Sequence, residues 1–347
     1  MSFGDHSSSR LFLAVSLGVI GIGFSLYFAN SASAILKLGL GLPEATSGSN
    51  NILSQSSIPP IVVSDNSSQP ALIYNEPKVA IIDPTFTGAA YDNSFYNFFK
   101  KYRAISSETV TQDLGLLSKT VPSKSNQESA ITHLKEHLIE PSKYNVTILT
   151  DSDVHQGLIF SKGNSTNAYD VLVLFHSEYV TQEEYQNIKT FVANGGTLFV
   201  MDGNVFYAEV RYDNNTKTIT LVKGHGWEFD GKSAQRSIGE RWANETTEWM
   251  GSNYLCYSCK IAFGNNPFGY LHHEEQYITN PNVTIIQDYK PIVADYGVVS
   301  DVKIATYELN YGKGKVVVMG LYSSDILQNP QFFAFFDDIF PKGSIHD

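Results

Sequence analysis

The sequence predicts an α/β domain on a doubly wound, mostly parallel open sheet, with a long insertion before a C-terminal hairpin. Three observations carry that expectation. Short β-branched runs recur along the chain: KVAII (78–82), NVTIL (145–149), YDVLVLF (169–175) and TLFVM (197–201). The last two flank TQEEYQNIKTFVANGG (181–196), which opens on a threonine N-cap and stops at two glycines. Strand, helix and strand in that order make a βαβ unit, hence parallel neighbours with helices on the sheet faces. Finally, IATYELN-YGKG-KVVVMG (304–320) reads as a hairpin whose second arm joins the core.

The other elements follow in order. Residues 11–29 carry no charge and are long enough to cross a bilayer, and a small-x-small cleavage pattern follows at Ala32-Ser33-Ala34. Segment 1–34 is therefore a transmembrane anchor or a signal peptide, and the rest lies outside the membrane. Residues 35–76, rich in Ser, Asn, Gly and Pro, read as a flexible linker to a domain over 77–347. Helical spacing recurs at 92–102, 126–140 and 329–340. The stretch of about 212–300 exceeds ordinary connections and is expected to be an insertion that shapes a pocket.

Composition narrows the partners. A net charge of −11 over 347 residues, with no basic stripe, excludes a nucleic-acid binder and an anionic lipid surface as targets. Asn-x-Ser/Thr sequons at Asn66, Asn145, Asn164, Asn214, Asn244 and Asn282 agree with a membrane-anchored extracytoplasmic domain or a secreted one. The two cysteines, Cys256 and Cys259, lack the second pair that a zinc ribbon needs. They read as a local disulfide or as buried thiols.

Ligands of open α/β sheets bind beyond the carboxyl ends of the strands. Here those ends carry Asp83; Asp151 and Asp153; His176, Glu178 and Tyr179; Asp202, Asn204 and Tyr207; and Tyr322, Ser323 and Asp325. Each has a plain alternative. An Asp after a strand is often a helix cap, a Tyr a packing residue, a His a satisfied hydrogen-bonding group. Only their convergence on one rim points to a site.

At 169–213 the sequence resembles the C-terminal domain of the large (β) subunit of N,N-dimethylformamidase, a relative of the class I glutamine amidotransferase-like and flavodoxin-like folds. That family places His-Pro-Glu-Tyr after one strand and Gly-Gly-Asn-x-Phe-Tyr after the next. Here HSEY (176–179) has Ser177 for the proline, and DGNVFY (202–207) has Asp202 for the first glycine. The amidotransferase cysteine is absent, so the resemblance excludes a thioester route. It implies instead a mononuclear iron held by Tyr179, Tyr207 and a glutamate, with Glu275 preferred over Glu274 in YLHHEEQYITNP (270–281). Phenolates and carboxylates are hard anionic donors suited to ferric iron. His273 shares a strand face with Glu275 at a spacing of two and, with His176, is the expected proton carrier; Asn204 is expected to orient a small amide. The competing class is a non-catalytic surface module binding a carbohydrate or peptide, motivated by the tether and by the three tryptophans of the insertion.

Overall fold

The structure, a computed structural model, describes residues 76–140, 144–163, 165–255, 261–263, 271–272, 275–289, 292–294, 297–299, 303–322 and 326–341. The expected segment 1–34, the linker up to residue 75, Cys256 and Cys259 lie outside the described residues. Among the described residues no helix is long and apolar enough to cross a membrane.

Strand β1 (Lys78–Asp83) leads to α1 (Thr85–Tyr91) and α2 (Ser94–Tyr102), then β2 (Ser118–Thr120), α3 (Glu128–Ile139), β3 (Asn145–Thr150) and α4 (Asp151–His155). Next come β4 (Val171–Leu174), β5 (Tyr179–Val180), α5 (Gln182–Ala193) and β6 (Thr197–Val200). The middle of the chain gives β7 (Ala208–Asp213), β8 (Thr218–Gly224), β9 (Trp227–Phe229), β10 (Ala234–Arg236), α6 (Ala243–Trp249) and β11 (Ser252–Leu255). It continues with β12 (Ile261–Phe263), β13 (Leu271–His272), β14 (Glu275–Ile278), β15 (Thr284–Asp288), β16 (Ile292–Ala294) and β17 (Gly297–Val299). The last elements are β18 (Ala305–Tyr311), β19 (Gly314–Val318) and α7 (Pro330–Ile339).

The central sheet has the order β15-β18-β19-β6-β4-β1-β3. Contacts from β3 through β1, β4 and β6 to β19 are parallel; β18 and β15 add antiparallel strands at one edge. This is the mixed α/β, mostly parallel sheet that the strand runs predict. Those runs are apolar throughout because both faces are covered. Val79, Ile81, Val171, Val173, Phe199 and Val317 face α3 and α7, through Leu134, Leu138, Phe332 and Phe336. The alternate residues Ala80, Ile82, Leu172, Leu174, Leu198 and Val316 face α4 and α5, through Val154, Ile188, Phe191 and Val192. At about 1.5–3 kcal/mol per buried large side chain, this double burial is the main source of stability.

The threonine cap of α5 agrees with the sequence reading, and α7 adds a second cap. Thr181 closes a reciprocal capping box with Glu184, and Asn329 caps α7 with Pro330 at its first turn. A second sheet, in the order β10-β9-β8-β7-β5 with β2 on β8, was not expected. It packs on α1 and α2 through Phe86, Phe95, Phe98, Val210, Leu221 and Trp227. The stretch 212–300 is thus not one inserted body. Its strand β15 joins the central sheet, and β8 pairs with β2 and β7, which begin outside it.

The β18–β19 turn is pinned on the end of α5, where Lys313 N donates to Ala193 O at 3.0 Å. Gly312 has φ +60°, and a Cβ there would lie 2.6 Å from both Cα and O of Ala193. Left-handed strain and overpacking add, so Gly312→Ala is expected to lower the unfolding free energy by about 2–4 kcal/mol in urea titrations.

Candidate functional site

Two central strands deliver the site. Beyond β4 the chain turns through His176, Ser177 and Glu178 into β5; beyond β6 it turns through Asp202, Gly203 and Asn204. A main-chain clasp joins the two exits. Phe206 N donates to Ser177 O at 3.0 Å, and Tyr207 N and Ala208 N donate to Glu178 O at 3.1 and 2.9 Å. Phe206 adopts φ +56°, a left-handed conformation that a bulky residue rarely holds. The clasp therefore fixes Tyr179 on β5, opposite Ala208 of β7, and Tyr207 immediately before β7.

The polar groups form a chain. Asn204 N donates to Asp202 Oδ1 at 3.0 Å, and Asp202 Oδ1 lies 3.2 Å from His176 Nδ1. His176 Nε2 is 3.0 Å from the Tyr91 hydroxyl and 3.5 Å from Glu178 Oε2. Tyr91 also donates a short hydrogen bond to Glu178 Oε2, while His225 Nε2 stands 2.6 Å from Glu178 Oε1. Glu178 is wholly buried. Burial pushes its carboxyl up, but attraction to His225 and hydrogen bonds from both histidines outweigh that and hold it at about 2.

Of the two tyrosines singled out by motif, Tyr179 is fully buried in this rim and Tyr207 partly so. The Tyr179 hydroxyl makes no hydrogen bond of normal geometry. Burial pushes that phenol well up, and the nearby Tyr96, Glu178 and Tyr207 add to it. Burial likewise raises the Tyr207 phenol, with Glu240 and Glu178 adding repulsion. Burial also raises the Glu240 carboxyl to about 7. A positive charge among these groups would reverse the cost of ionising the phenols, so the donor set fits a hard cation. Among the described residues no group of three His, Cys, Asp or Glu could hold a metal ion by itself.

Other expected residues are placed as follows. Asn204 is buried, and its Oδ1 has no hydrogen-bond partner. Tyr322 sets its ring 5.8 Å from that of His176. Glu275 opens β14, and Gln276 beside it donates to Gly203 O at 2.7 Å, bringing that strand against the 202–204 turn. His273, Glu274, Ser323, Asp325 and the side chain of Glu275 lie outside the described residues.

Three of the aspartates serve the scaffold. Asp83 accepts from Ser125 N at 3.2 Å, Asp151 from Phe86 N at 2.5 Å, and Asp153 closes the capping box of α4. Trp227, Trp242 and Trp249 are all buried, so they offer no surface for sugar stacking.

Sequence reasoning missed Tyr91, Tyr96, His225 and Glu240. His225 had a signal. In KGHGW it occupies, with Gly226, a two-residue turn between β8 and β9, both at positive φ (50° and 74°). Such turns favour Asn-Gly, and a histidine in the first place stands out.

Comparisons with known proteins place these observations. A β-galactosidase from Bacillus circulans matches 77% of this chain and 32% of its own, with 13% identity and a TM-score of 0.37. An exo-β-1,4-mannosidase from an Opitutaceae bacterium matches 77% of this chain and 36% of its own, with 12% identity and a TM-score of 0.39. A thua-like protein from Bacteroides uniformis matches 78% of this chain and 93% of its own, with 13% identity and a TM-score of 0.38. The chain thus spans about a third of the length of the galactosidase and the mannosidase. Likeness this remote says nothing of what the chain binds. No curated protein matches it. Residues 27–281 match the family described as N,N-dimethylformamidase beta subunit-like, C-terminal, a span that includes both tyrosine motifs, and the chain belongs to that family.

Proposed function

We propose that the chain is an extracytoplasmic, iron-dependent hydrolase of C–N bonds in small amides, on a class I glutamine amidotransferase-like scaffold held at the membrane by residues 11–29. Family membership supports a hydrolase-like role. In this reading Tyr179, Tyr207 and Glu275 hold the metal. When bound, iron supplies Lewis-acid polarisation of a carbonyl and lowers the pKa of water.

The observation that carries the reading is the Tyr179 hydroxyl, sealed from solvent with the Tyr96 phenol, the partly buried Tyr207 phenol and an ionised carboxylate as its polar neighbours. A buried phenol whose neighbours are other phenols and a carboxylate is poorly satisfied, and a cation in place of its proton accounts for its retention. The chain's own residues then divide the remaining work. His176, set between Asp202 and the Tyr91–Glu178 pair, holds and passes a proton at Nε2. His273 is a second carrier. Asn204 offers its buried, unpartnered Oδ1 to orient an amide N–H. Glu178 stays ionised and offsets positive charge in the rim.

The purified full chain is expected to contain about one iron per polypeptide, to absorb in the visible through phenolate-to-iron charge transfer, and to hydrolyse small N-alkyl amides. Colourless protein that iron cannot reconstitute would end this reading.

A further inference from the structure

The His225 imidazole is boxed by four rings. Phe99 and Tyr179 stack on it nearly parallel, with centroids 4.5 and 5.6 Å away and interplanar angles of 28° and 21°. Tyr96 and Tyr207 close two sides at 5.6 and 4.9 Å, with angles of 70° and 72°. All four centroids lie within the ~6 Å over which an aromatic ring attracts a cation. Glu178 Oε1 receives Nε2 at 2.6 Å from the remaining side. Among the described residues neither Glu178 nor Asp202 is paired with a lysine or arginine; their ion pairs are with histidines. Arg241, whose backbone N–H reaches Tyr207 O, is engaged by Glu209.

Aromatic walls around a buried carboxylate, with no competing cation, are what a flat nitrogen cation needs. An imidazole that donates N–H to that carboxylate is such a guest in miniature. We propose that Phe99, Tyr96, Tyr179, Tyr207 and Glu178 form a recognition pocket for a flat, N–H-donating cation of the amidinium or guanidinium type, in which His225 is a resident occupant that the ligand displaces. His225 is placed to leave. It sits at the tip of a two-residue turn, and its side chain is 23% exposed although its partner Glu178 is wholly buried. The proposal goes beyond the hydrolase reading, because it needs neither metal nor turnover and is tested without either.

Acetamidinium, acetamide and acetate share one flat shape and differ in charge, so they form the test set. Each is titrated calorimetrically into the metal-free full chain, with histidine ring protons followed by NMR. Acetamidinium should bind at least tenfold more tightly than acetate, with acetamide between them. Its binding should move the His225 resonance out of the shielding of Phe99 and Tyr179. In His225→Asn the occupant is gone while Asn-Gly still suits the turn, so acetamidinium should bind at least tenfold more tightly than to the wild type. Equal affinity for acetate and acetamidinium, or a folded His225→Asn with no gain, overturns the proposal. Should that variant fail to fold, the wild-type series and the His225 resonance decide alone. Protein without iron or amidase activity leaves these outcomes unchanged, so the two readings fail separately.

Discussion

Tyr179→Phe should abolish iron binding and lower amide hydrolysis by roughly 10³-fold or more, about 4 kcal/mol of transition-state stabilisation, while leaving the metal-free fold intact. The substitution removes one oxygen and keeps the ring that packs on Phe95, with centroids 5.5 Å apart, and on His225. An ordinary core tyrosine would lose a hydrogen bond here. This hydroxyl has only a contact with the Tyr96 phenol to lose, so its removal should change the stability of the metal-free protein by no more than about 1 kcal/mol. Urea unfolding, iron analysis and the visible band read the three effects on one sample. A variant that keeps its iron, or that loses more than 2 kcal/mol, contradicts the role given to Tyr179.

The second large effect lies outside the rim. Asp151 opens α4 and Glu184 stands in the first turn of α5, and both are wholly buried. Asp151 Oδ2 accepts from Phe86 N and Thr85 Oγ1, and Glu184 exchanges hydrogen bonds with Thr181. Asp151 Oδ1 and Glu184 Oε1 are buried with no other hydrogen-bond partner, and the two carboxyls face each other. Burial raises Asp151 to about 7; burial and then Asp151 raise Glu184.

A carboxyl that binds its proton more tightly in the folded chain stabilises most at low pH. Stability should therefore decline as pH rises from about 4 to about 7, Asp151 alone contributing on the order of 4 kcal/mol, and decline further as Glu184 gives up its proton. Glu178 acts in the opposite sense. Its depressed pKa adds stability above the ordinary glutamate value, lost as pH falls from 4.5 towards 2. Together the two place the maximum near pH 4–5. Glu184→Gln, whose amide donates permanently to Asp151, should flatten the slope between pH 4 and 7. Urea midpoints across pH 3 to 9 test both statements, and a wild-type stability that climbs steadily to neutrality would refute them.

How much of this was legible in the sequence depended on periodicity. Apolar runs such as Val171–Leu174 announced the central sheet because both faces are buried, and the Thr181 cap and the apolar spacing of 329–340 marked two helices. His176, Tyr179, Asp202 and Tyr207 were found because they follow strand ends. The second sheet was hidden, since β5, β9 and β10 have only two or three residues each, too few for an alternation to register. Its contributions to the rim come from far along the chain: Tyr91 is 87 residues from Glu178, and His225 is 47. No spacing rule links such pairs. Asp83, Asp151 and Asp153 satisfied the strand-end rule and yet hold backbone amides, because a helix N-terminus accepts an aspartate as readily as a ligand site does.

Strand β19 sits in the middle of the central sheet, between β6 and β18, although it is the last strand among the described residues. During biosynthesis β6 is complete at residue 200, but its neighbour begins only at residue 314. At roughly 5–20 residues per second, the ribosome leaves the flank of β6 uncovered for on the order of ten seconds. For that interval the nascent polypeptide presents an open, β-branched ledge of unpaired amides, the kind of surface that recruits holdases or seeds aggregates.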